Sequence, residues 1–534
     1  MSYPRAIQPL VIEDEQEAKE YYETVFEHLK KTYQVLPPRF AFCHSDAVEQ
    51  LAQDQPFHLI ILDLRLPETP GQPAASSLDL GLDILQKCLY RDAYPIPTLL
   101  VSSGNLQHAN QQDLVKQVRD GFYYGHVLVK SARLEPEIEE AIRHCHRYCD
   151  VGIHLRDAGD RAFPTLSPRD DDLLRRCVLA VQDLGLDLEW WSAELSPPDD
   201  WTKVLLGRFA LDEGRGQSLY SFFKLASGDG STSVFREAEV MEQKLKHVKV
   251  LHARAAGSRS LLVTQAAGSG DVRPLSLDDL MTMSHDSVGD ALKAAAASIA
   301  AQVAALGDRT PDQRHVPDLL WKHHDTERLQ DQWDRRGGNQ VLTELMDAGI
   351  ECPNPVNVFN QLHTCNEVVR YQKQGCRHGD LNYTNIAVER SASGTFDAYI
   401  FDASGCTAGT SVRDLAMLEV TTLLHQPYRD GGSLVRRCAP LYLATVNDSA
   451  EGDAEVDDQV ANIIGFVQSI REQAVQLDDL KAYALLVFDN AMMQLGGLGF
   501  GSSFNKIREP RDAVFLAALS ARWLITVAPD FFET

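Results

Sequence analysis

Short apolar runs punctuated by polar residues organise the front of this chain. Pro9-Leu-Val-Ile closes on Glu13-Asp14-Glu15, and His58-Leu-Ile-Ile-Leu closes on Asp63. Thr98-Leu-Leu-Val closes on Ser102-Ser103-Gly104, and Val127-Leu-Val closes on Lys130. Runs of this length bounded by polar and turn residues read as buried strands. An open, doubly wound parallel sheet is the expected arrangement. In such a sheet ligands bind beyond the carboxyl ends of the strands, so the four polar ends should meet on one rim.

Beyond residue 150 the period changes. Ser167-Pro starts a predicted helix, and Leu173, Cys177, Val181 and Leu184 recur on one face of it. Trp190-Trp191 and the breaker Ser196-Pro-Pro-Asp-Asp200 close that connector. Strands are expected over 203–211 and 219–226 with a turn at 212–218, then a helix over 233–247 and a buried strand over 261–265. Helical patterns follow at 290–305, 339–348, 480–495 and 511–527, with an acidic, solvated loop at 447–458.

Composition narrows the function. A chain of 534 residues should hold about three to four ordinary domains. The net charge of −25 and pI near 5.1 speak against nucleic acid or an anionic membrane as the main partner, since both require basic patches. No apolar run approaches the ~20 residues that span a bilayer. The first strand begins close to the start, leaving no room for a signal peptide. Ten cysteines without regular spacing fit a reducing cytoplasm. His144-Cys-His146 with Cys149 has the look of a metal site, but structural zinc needs four ligands, and a buried or half-buried cysteine pair on one helix is the expectation.

Two constellations carry chemistry. On the sheet rim, Glu13, Asp14 and Asp63 would form an oxygen-rich pocket for Mg²⁺, while Lys130 and the Ser102 hydroxyl could meet phosphoryl oxygens, with Ser103 a competitor. This set resembles the receiver domain of response regulators. The resemblance covers roughly residues 7–148 and implies Asp63 as phosphoacceptor, Glu13 and Asp14 as the acidic pair, and Ser102 and Lys130 as the switch groups. Ser131 stands where receivers usually have Pro, Val127 where many carry an aromatic, and 68–81 is a breaker-rich insertion.

The second constellation is His378-Gly-Asp-Leu-Asn-Tyr-Thr-Asn385, followed by Ala398-Tyr-Ile-Phe-Asp402. It puts a carboxylate and an amide at the spacing of kinase-type phosphotransferases, with a second carboxylate after a nearby strand. The loop resembles the H-G-D-x-x-x-x-N of the aminoglycoside phosphotransferase and choline kinase family. That resemblance implies Asp380 as base, Asn385 and Asp402 as Mg²⁺ ligands, ATP as donor and Asp414 as a brace for the loop. Lys224 would contact the nucleotide phosphates and pair with Glu237, with Glu239 and Glu242 as alternatives. Gly214 and Gly216 would let backbone amides approach the phosphates, although the third glycine of the kinase pattern is missing. After Asp402 comes Ala403-Ser404, unlike the family's usual continuation.

The expectation is therefore an α/β chain: a flavodoxin-like receiver over 1–150, a helical connector over 151–200, then a two-lobed protein-kinase-like α+β fold with an N-lobe at 201–270 and a helical C-lobe at 271–534. Its implied function is a cytoplasmic response regulator, phosphorylated on Asp63 by a sensor histidine kinase or phosphotransfer protein. That event would gate transfer from ATP to a hydroxyl of a protein or small molecule of unknown identity. The alternative is a pseudokinase, binding nucleotide or a partner without transfer. The connector helix either joins two protomers as a homodimer or packs on the chain's own kinase-like domain.

Overall fold

The computed structural model describes residues 6–52, 57–73, 79–89, 98–102, 125–129, 134–156, 166, 168–180, 185–190, 203–209, 220–227, 230–244, 249–256, 259–265, 273–283, 288–321, 325–390, 395–401, 407–410, 412–425, 433–443, 457–496 and 510–533. They fall into two compact units. The first comprises Met1–Trp190, Thr202–Val234 and Leu251–Val263; the second comprises Trp191–Trp201, Phe235–Val250 and Thr264–Thr534.

The first unit opens with β1 (Pro9–Ile12), α1 (Gln16–Leu29), β2 (Arg39–Ala41), α2 (His44–Ala52), β3 (Leu59–Asp63), α3 (Asp79–Leu89), β4 (Thr98–Ser102), β5 (Gly125–Val129) and α4 (Glu135–Asp150). The strands pair in parallel in the order β2-β1-β3-β4-β5. Alternate residues supply the two faces. Leu10, Ile12, Ile60, Leu62 and Leu100 pack with Ala47, Leu51, Ile84 and Leu85 of α2 and α3. Val11, Leu59, Ile61, Leu99 and Val101 pack with Tyr22, Val25 and Phe26 of α1 and Ile138, Ala141, Ile142 and Cys145 of α4. Burial on both faces is why these strands read as unbroken apolar runs. β2 is short and half-buried, and its Arg-Phe-Ala carries no such signal.

Next come β6 (Gly152–Arg156), α5 (Pro168–Ala180), β7 (Gly185–Trp190), β8 (Lys203–Phe209), β9 (Tyr220–Ser227), α6 (Gly230–Lys244), β10 (Val250–Ala256) and β11 (Arg259–Gln265). Here the expected helical connector is corrected. Its helix exists as α5, but β6 and β7 flank it and extend a six-stranded sheet ordered β10-β11-β9-β8-β7-β6. Leu173, Leu174, Cys177 and Val178 of α5 pack with Leu186 and Leu188 of β7, Leu205 of β8 and Phe223 and Leu225 of β9. The two-residue alternation Leu186-Asp-Leu188-Glu-Trp190 was the missed signal. Leu173 and Cys177 thus lie in the chain's own core; Val181 and Leu184 lie outside the described residues.

The second unit contains β12 (Leu275–Ser276), α7 (Leu277–Thr282), α8 (Val288–Ala305), β13 (Arg309–His315), α9 (Val316–Leu319), α10 (Thr326–Arg335), α11 (Gly338–Asp347), α12 (Pro355–Thr364) and β14 (Val368–Arg377). A 3₁₀ turn at Tyr383–Asn385 leads to β15 (Ile386–Arg390), β16 (Phe396–Ile400) and β17 (Thr407–Thr410). The helices α13 (Arg413–His425), α14 (Leu434–Tyr442), α15 (Asp458–Leu477), α16 (Leu480–Gly496) and α17 (Pro510–Val527) follow. Two small sheets, β12-β15-β16 and β13-β14-β17, accompany the helices.

α16 is buried from Ala482 through Gly496 and α13 from Asp414 through His425, so neither has the polar stripe of a surface helix. Charges inside them must be paired. Glu419 on α13 receives Arg471 of α15 in a buried ion pair at 2.7 Å, and the hydroxyls of Tyr442 and Tyr483 donate to the same carboxylate. The guanidinium lies 3.9 Å from the centre of the Trp523 ring and 4.3 Å from that of Tyr442. Among the described residues no helix is long and apolar enough to cross a membrane.

Candidate functional site

The parallel sheet brings its acids together as its pattern implies. Glu13 and Asp14 follow β1, Asp63 ends β3, and these strands are hydrogen-bonded neighbours. One carboxylate oxygen from each of the three lies within 4.8 Å of the others, the one such cluster among the described residues. Glu13 and Asp63 are only 3% and 5% exposed, so their charges are poorly solvated and mutually repulsive. Backbone holds them in place. The Glu13 N–H donates to the Ala41 carbonyl at 3.0 Å, and the Arg65 N–H donates to Asp63 Oδ1 at 2.9 Å.

At Gly81, α3 presses on the loop after Asp63. A Cβ there would meet the Leu64 carbonyl oxygen at 2.5 Å, closer than any side chain could sit. Burial pushes the Tyr22 hydroxyl above its ordinary range, and the nearby Glu13, Tyr21 and Asp63 charges push the same way. Three hard oxygens in a covered corner suit an Mg²⁺-sized divalent cation, which would offset the repulsion. Ser102 closes β4 opposite Val129 of β5, although its side chain, Ser103 and Lys130 lie outside the described residues.

The second site is the turn that leaves β14. Gly379 sits at φ +88°, a left-handed conformation that favours glycine over any residue with a Cβ. The His378 and Gly379 N–H groups both donate to the Asp414 carboxylate, at 2.7 and 3.0 Å. His378 is fully buried, and its Nε2 donates to the Phe401 carbonyl at 2.9 Å, which defines the tautomer. The Phe401 N–H in turn donates to the Asn385 carbonyl at 3.1 Å. Asn385 Nδ2 donates to the Asp380 carbonyl at 2.9 Å, so the amide oxygen is the atom that suits a hard cation. Asp380 itself is half-buried. The expected acid and amide therefore share one hydrogen-bonded turn, with Asp414 as its brace. Asp402 lies outside the described residues, but Phe401 immediately before it is fastened to both His378 and Asn385.

Sequence reasoning missed what anchors the brace. Arg413, beside Asp414, pairs with the buried Asp489 of α16 at 3.1 Å and donates to the Leu319 carbonyl at 2.6 Å. A lone Asp within the apolar run of α16 was the available signal, because buried charges require partners. The other expected residues belong to the six-stranded sheet and the helix after it. Lys224 is half-buried on β9 opposite Val204. On α6, Glu237 is buried whereas Glu239 and Glu242 are exposed. Gly214 and Gly216 lie outside the described residues. Of the histidine and cysteine cluster on α4, Cys145 is buried and its thiol donates to the His58 carbonyl, while burial pushes the Cys149 thiol up to about 11.

No protein-family model matches the chain, and no curated protein matches it. Among solved structures, the N-terminal region is similar to a CheY-like response regulator receiver domain from Methylobacillus flagellatus, at 18% identity and a TM-score of 0.19 over 26% of this chain and 98% of that one. The C-terminal region is similar to a candidate aminoglycoside phosphotransferase from Ralstonia eutropha, at 12% identity and a TM-score of 0.33 over 62% of this chain and 93% of that one. It is also similar to an ethanolamine kinase from Plasmodium vivax, at 11% identity and a TM-score of 0.27 over 60% and 79%. At such TM-scores the functional reading has to stand on the geometry of the two sites.

Proposed function

We propose that this chain is a response regulator in which phosphorylation of Asp63 gates an ATP-dependent, kinase-like phosphotransferase. The reading takes residues 1–150 as receiver and assigns the two lobes of the kinase-like part to 201–270 and 271–534, with β6, α5 and β7 built onto the first lobe. What supports it most is the pocket of Glu13, Asp14 and Asp63, whose oxygens converge within 4.8 Å at the carboxyl end of a parallel sheet. A carboxylate of that kind attacks the phosphorus of a phosphohistidine on a sensor kinase or phosphotransfer protein. The new P–O bond forms as the P–N bond breaks, and imidazole leaves. A bound divalent cation supplies charge neutralisation on the phosphoryl oxygens. Lys130 and Ser102 are assigned to the remaining oxygens.

In the kinase-like part, Asp380 is assigned to take the proton of the attacking hydroxyl. Asn385 and Asp402 would hold the Mg²⁺ that accompanies ATP, and Lys224, supported by Glu237, would meet the nucleotide phosphates. The rigid turn around His378 supports this assignment, since a base contributes only when its position is fixed relative to the hydroxyl. The test uses purified protein with labelled ATP and Mg²⁺, with and without acetyl phosphate. Asp380→Asn should retain ATP binding and lose transfer, whereas Asp402→Ala should weaken Mg²⁺-dependent binding. Wild-type protein that binds ATP and never transfers its γ-phosphoryl group, in either receiver state and with a range of hydroxyl acceptors, would make the output a binding module.

A further inference from the structure

Two residues beyond Asp380 stands Asn382, a side chain that the assignments above leave unused. It is half-buried at the start of the 3₁₀ turn, with extended backbone at φ −121° and ψ 166°. Both ends of its amide are engaged. Oδ1 accepts from the Thr384 N–H at 3.0 Å and from the Thr384 hydroxyl. Nδ2 faces Asp380, donating to the carboxylate Oδ1 at 3.5 Å and to the carbonyl at 3.4 Å. The backbone carbonyl of Asn382 accepts from the Asn385 N–H at 3.0 Å, which closes the turn.

Chemistry fixes which way this amide points. A backbone N–H only donates, so the atom facing Thr384 is the oxygen, and the amide hydrogens are left for the Asp380 side. Asn385 Nδ2 also donates to the Asp380 carbonyl, at 2.9 Å. Two amides thus hold the Asp380 backbone, and one of them reaches its carboxylate as well. Few side chains could do both. Ser, Thr and Asp also accept from a turn N–H, but an ionised Asp has no hydrogen to donate, and Ser and Thr carry their oxygen one atom closer to the backbone. A donor on one carboxylate oxygen restricts rotation about the Cβ–Cγ bond, and with it the direction in which the group meets a hydroxyl. At 3.5 Å the bond is long, and catalytic hydrogen bonds of this kind tighten when substrate is bound.

We propose that Asn382 is a positioning residue for phosphoryl transfer: anchored on Thr384, its amide donates to Asp380 and sets the carboxylate to receive the hydroxyl proton. This inference rests on the function proposed above. In that step the hydroxyl oxygen bonds to the γ-phosphorus as the bond from phosphorus to the β–γ bridging oxygen breaks. ADP leaves, and the hydroxyl proton passes to Asp380. Asn382 is assigned no contact with the reacting atoms and acts through Asp380 alone.

The experiment compares full-length wild type with Asn382→Ser and Asn382→Asp. Both variants keep an acceptor for the Thr384 N–H and lose the amide donor, and the second sets a like charge beside Asp380. Turnover is read with labelled ATP and Mg²⁺, first with water as acceptor and then with glycerol added. In Asn382→Ser kcat should fall about ten- to hundredfold, because a displaced base slows transfer. It should fall further in Asn382→Asp, with KM for ATP unchanged within about twofold in both. A merely structural cap predicts wild-type kcat in both variants, and that result overturns the proposal. So does a loss of kcat matched by an equal loss of ATP binding. Crystal structures give a readout that needs no turnover: Asp380 should hold one rotamer in wild type and spread over more than one in Asn382→Ser. A carboxylate held as firmly in that variant as in wild type defeats the proposal whatever the kinetics. If Asp380 is released in the variant but wild type turns over no ATP, the failure belongs to the phosphotransfer reading alone.

Discussion

Asp414 and His378 are joined by a 2.7 Å hydrogen bond from backbone N–H to carboxylate, and the second oxygen of Asp414 takes the next N–H, that of Gly379. One side chain at the start of α13 thereby satisfies two consecutive amides in a turn that could not pair them within a sheet. Asp414→Ala leaves both donors without that acceptor, at about 1–3 kcal/mol each. Urea denaturation should show a loss of that order, and Asp414→Asn should lose less because its one carbonyl oxygen can still accept. Equal stability of wild type and the alanine variant would remove the brace.

The acid pocket makes a prediction whose sign depends on the cation. Without divalent ions, Asp63→Asn relieves repulsion among three clustered carboxylates and should raise the melting temperature. With Mg²⁺ the wild type should gain more than the variant, because the cation binds a complete oxygen set. Thermal scans in EDTA and in Mg²⁺ measure both signs. Acetyl phosphate should meanwhile label wild type with a base-labile acyl phosphate and leave Asp63→Asn unlabelled; equal labelling would relieve Asp63 of its role.

His58 gives the first unit a defined acid sensitivity. Burial lowers its pKa to about 4, and the Gln8 N–H donates into its Nδ1 at 2.9 Å, which requires a neutral ring. The unfolded chain would take up the proton near pH 6.5, well before the folded one does. Stability is therefore complete above pH 6.5, falls as pH drops, and has lost this contribution by about pH 4. The shift corresponds to roughly 3 kcal/mol. His58→Gln should flatten that part of the pH profile, read as denaturation midpoints between pH 4 and 7. An unchanged profile would mean that other groups dominate.

Much of this was legible in the sequence because burial on both faces leaves a local trace. β1, β3 and β4 announced themselves as apolar runs, and the acids that close β1 and β3 are the ones the sheet brings together. The loop around Asp380 was legible for another reason: its residue types and their spacing form a motif within eight consecutive positions. The partners that hold it were not. Arg413 meets Asp489 across 76 positions and Glu419 meets Arg471 across 52, and nothing in local periodicity pairs such residues. The connector was misread because the strong stripe of α5 overshadowed the weaker alternation of β6 and β7, which sheet pairing completes.

The Glu419–Arg471 pair should behave as a buried ion pair does when it is half removed. Glu419→Ala strands a buried guanidinium and two tyrosine hydroxyls, at a cost of about 3–5 kcal/mol. Exchanging both partners for apolar residues of similar size, Glu419→Met with Arg471→Met, should recover much of that loss. Chemical denaturation of the single and double variants gives the coupling. A double variant as unstable as the sum of the singles would show that the two charges act separately.

The joint between α4 and α5 is where the last helix of the five-stranded parallel sheet meets the six-stranded sheet within the first unit. The Tyr148 hydroxyl on α4 donates to Asp172 Oδ1 at 2.9 Å, and the same carboxylate oxygen accepts from Arg176 Nε at 2.8 Å. Arg175 reaches back to the Val151 carbonyl at 2.5 Å. These groups are nearly all buried, and Leu173 and Cys177 beside them lie in the core of the sheet. A shift of α4 after phosphorylation would therefore act on α5 through hydrogen bonds of fixed direction, without need of a second protomer. Tyr148→Phe removes one of those bonds while keeping the ring, at about 1 kcal/mol of stability. It should leave Asp63 labelling intact and reduce the response of ATP turnover or binding to acetyl phosphate, which in wild type should fall within about 5- to 150-fold. A Tyr148→Phe protein that is labelled and still responds in full would place the coupling elsewhere than this joint.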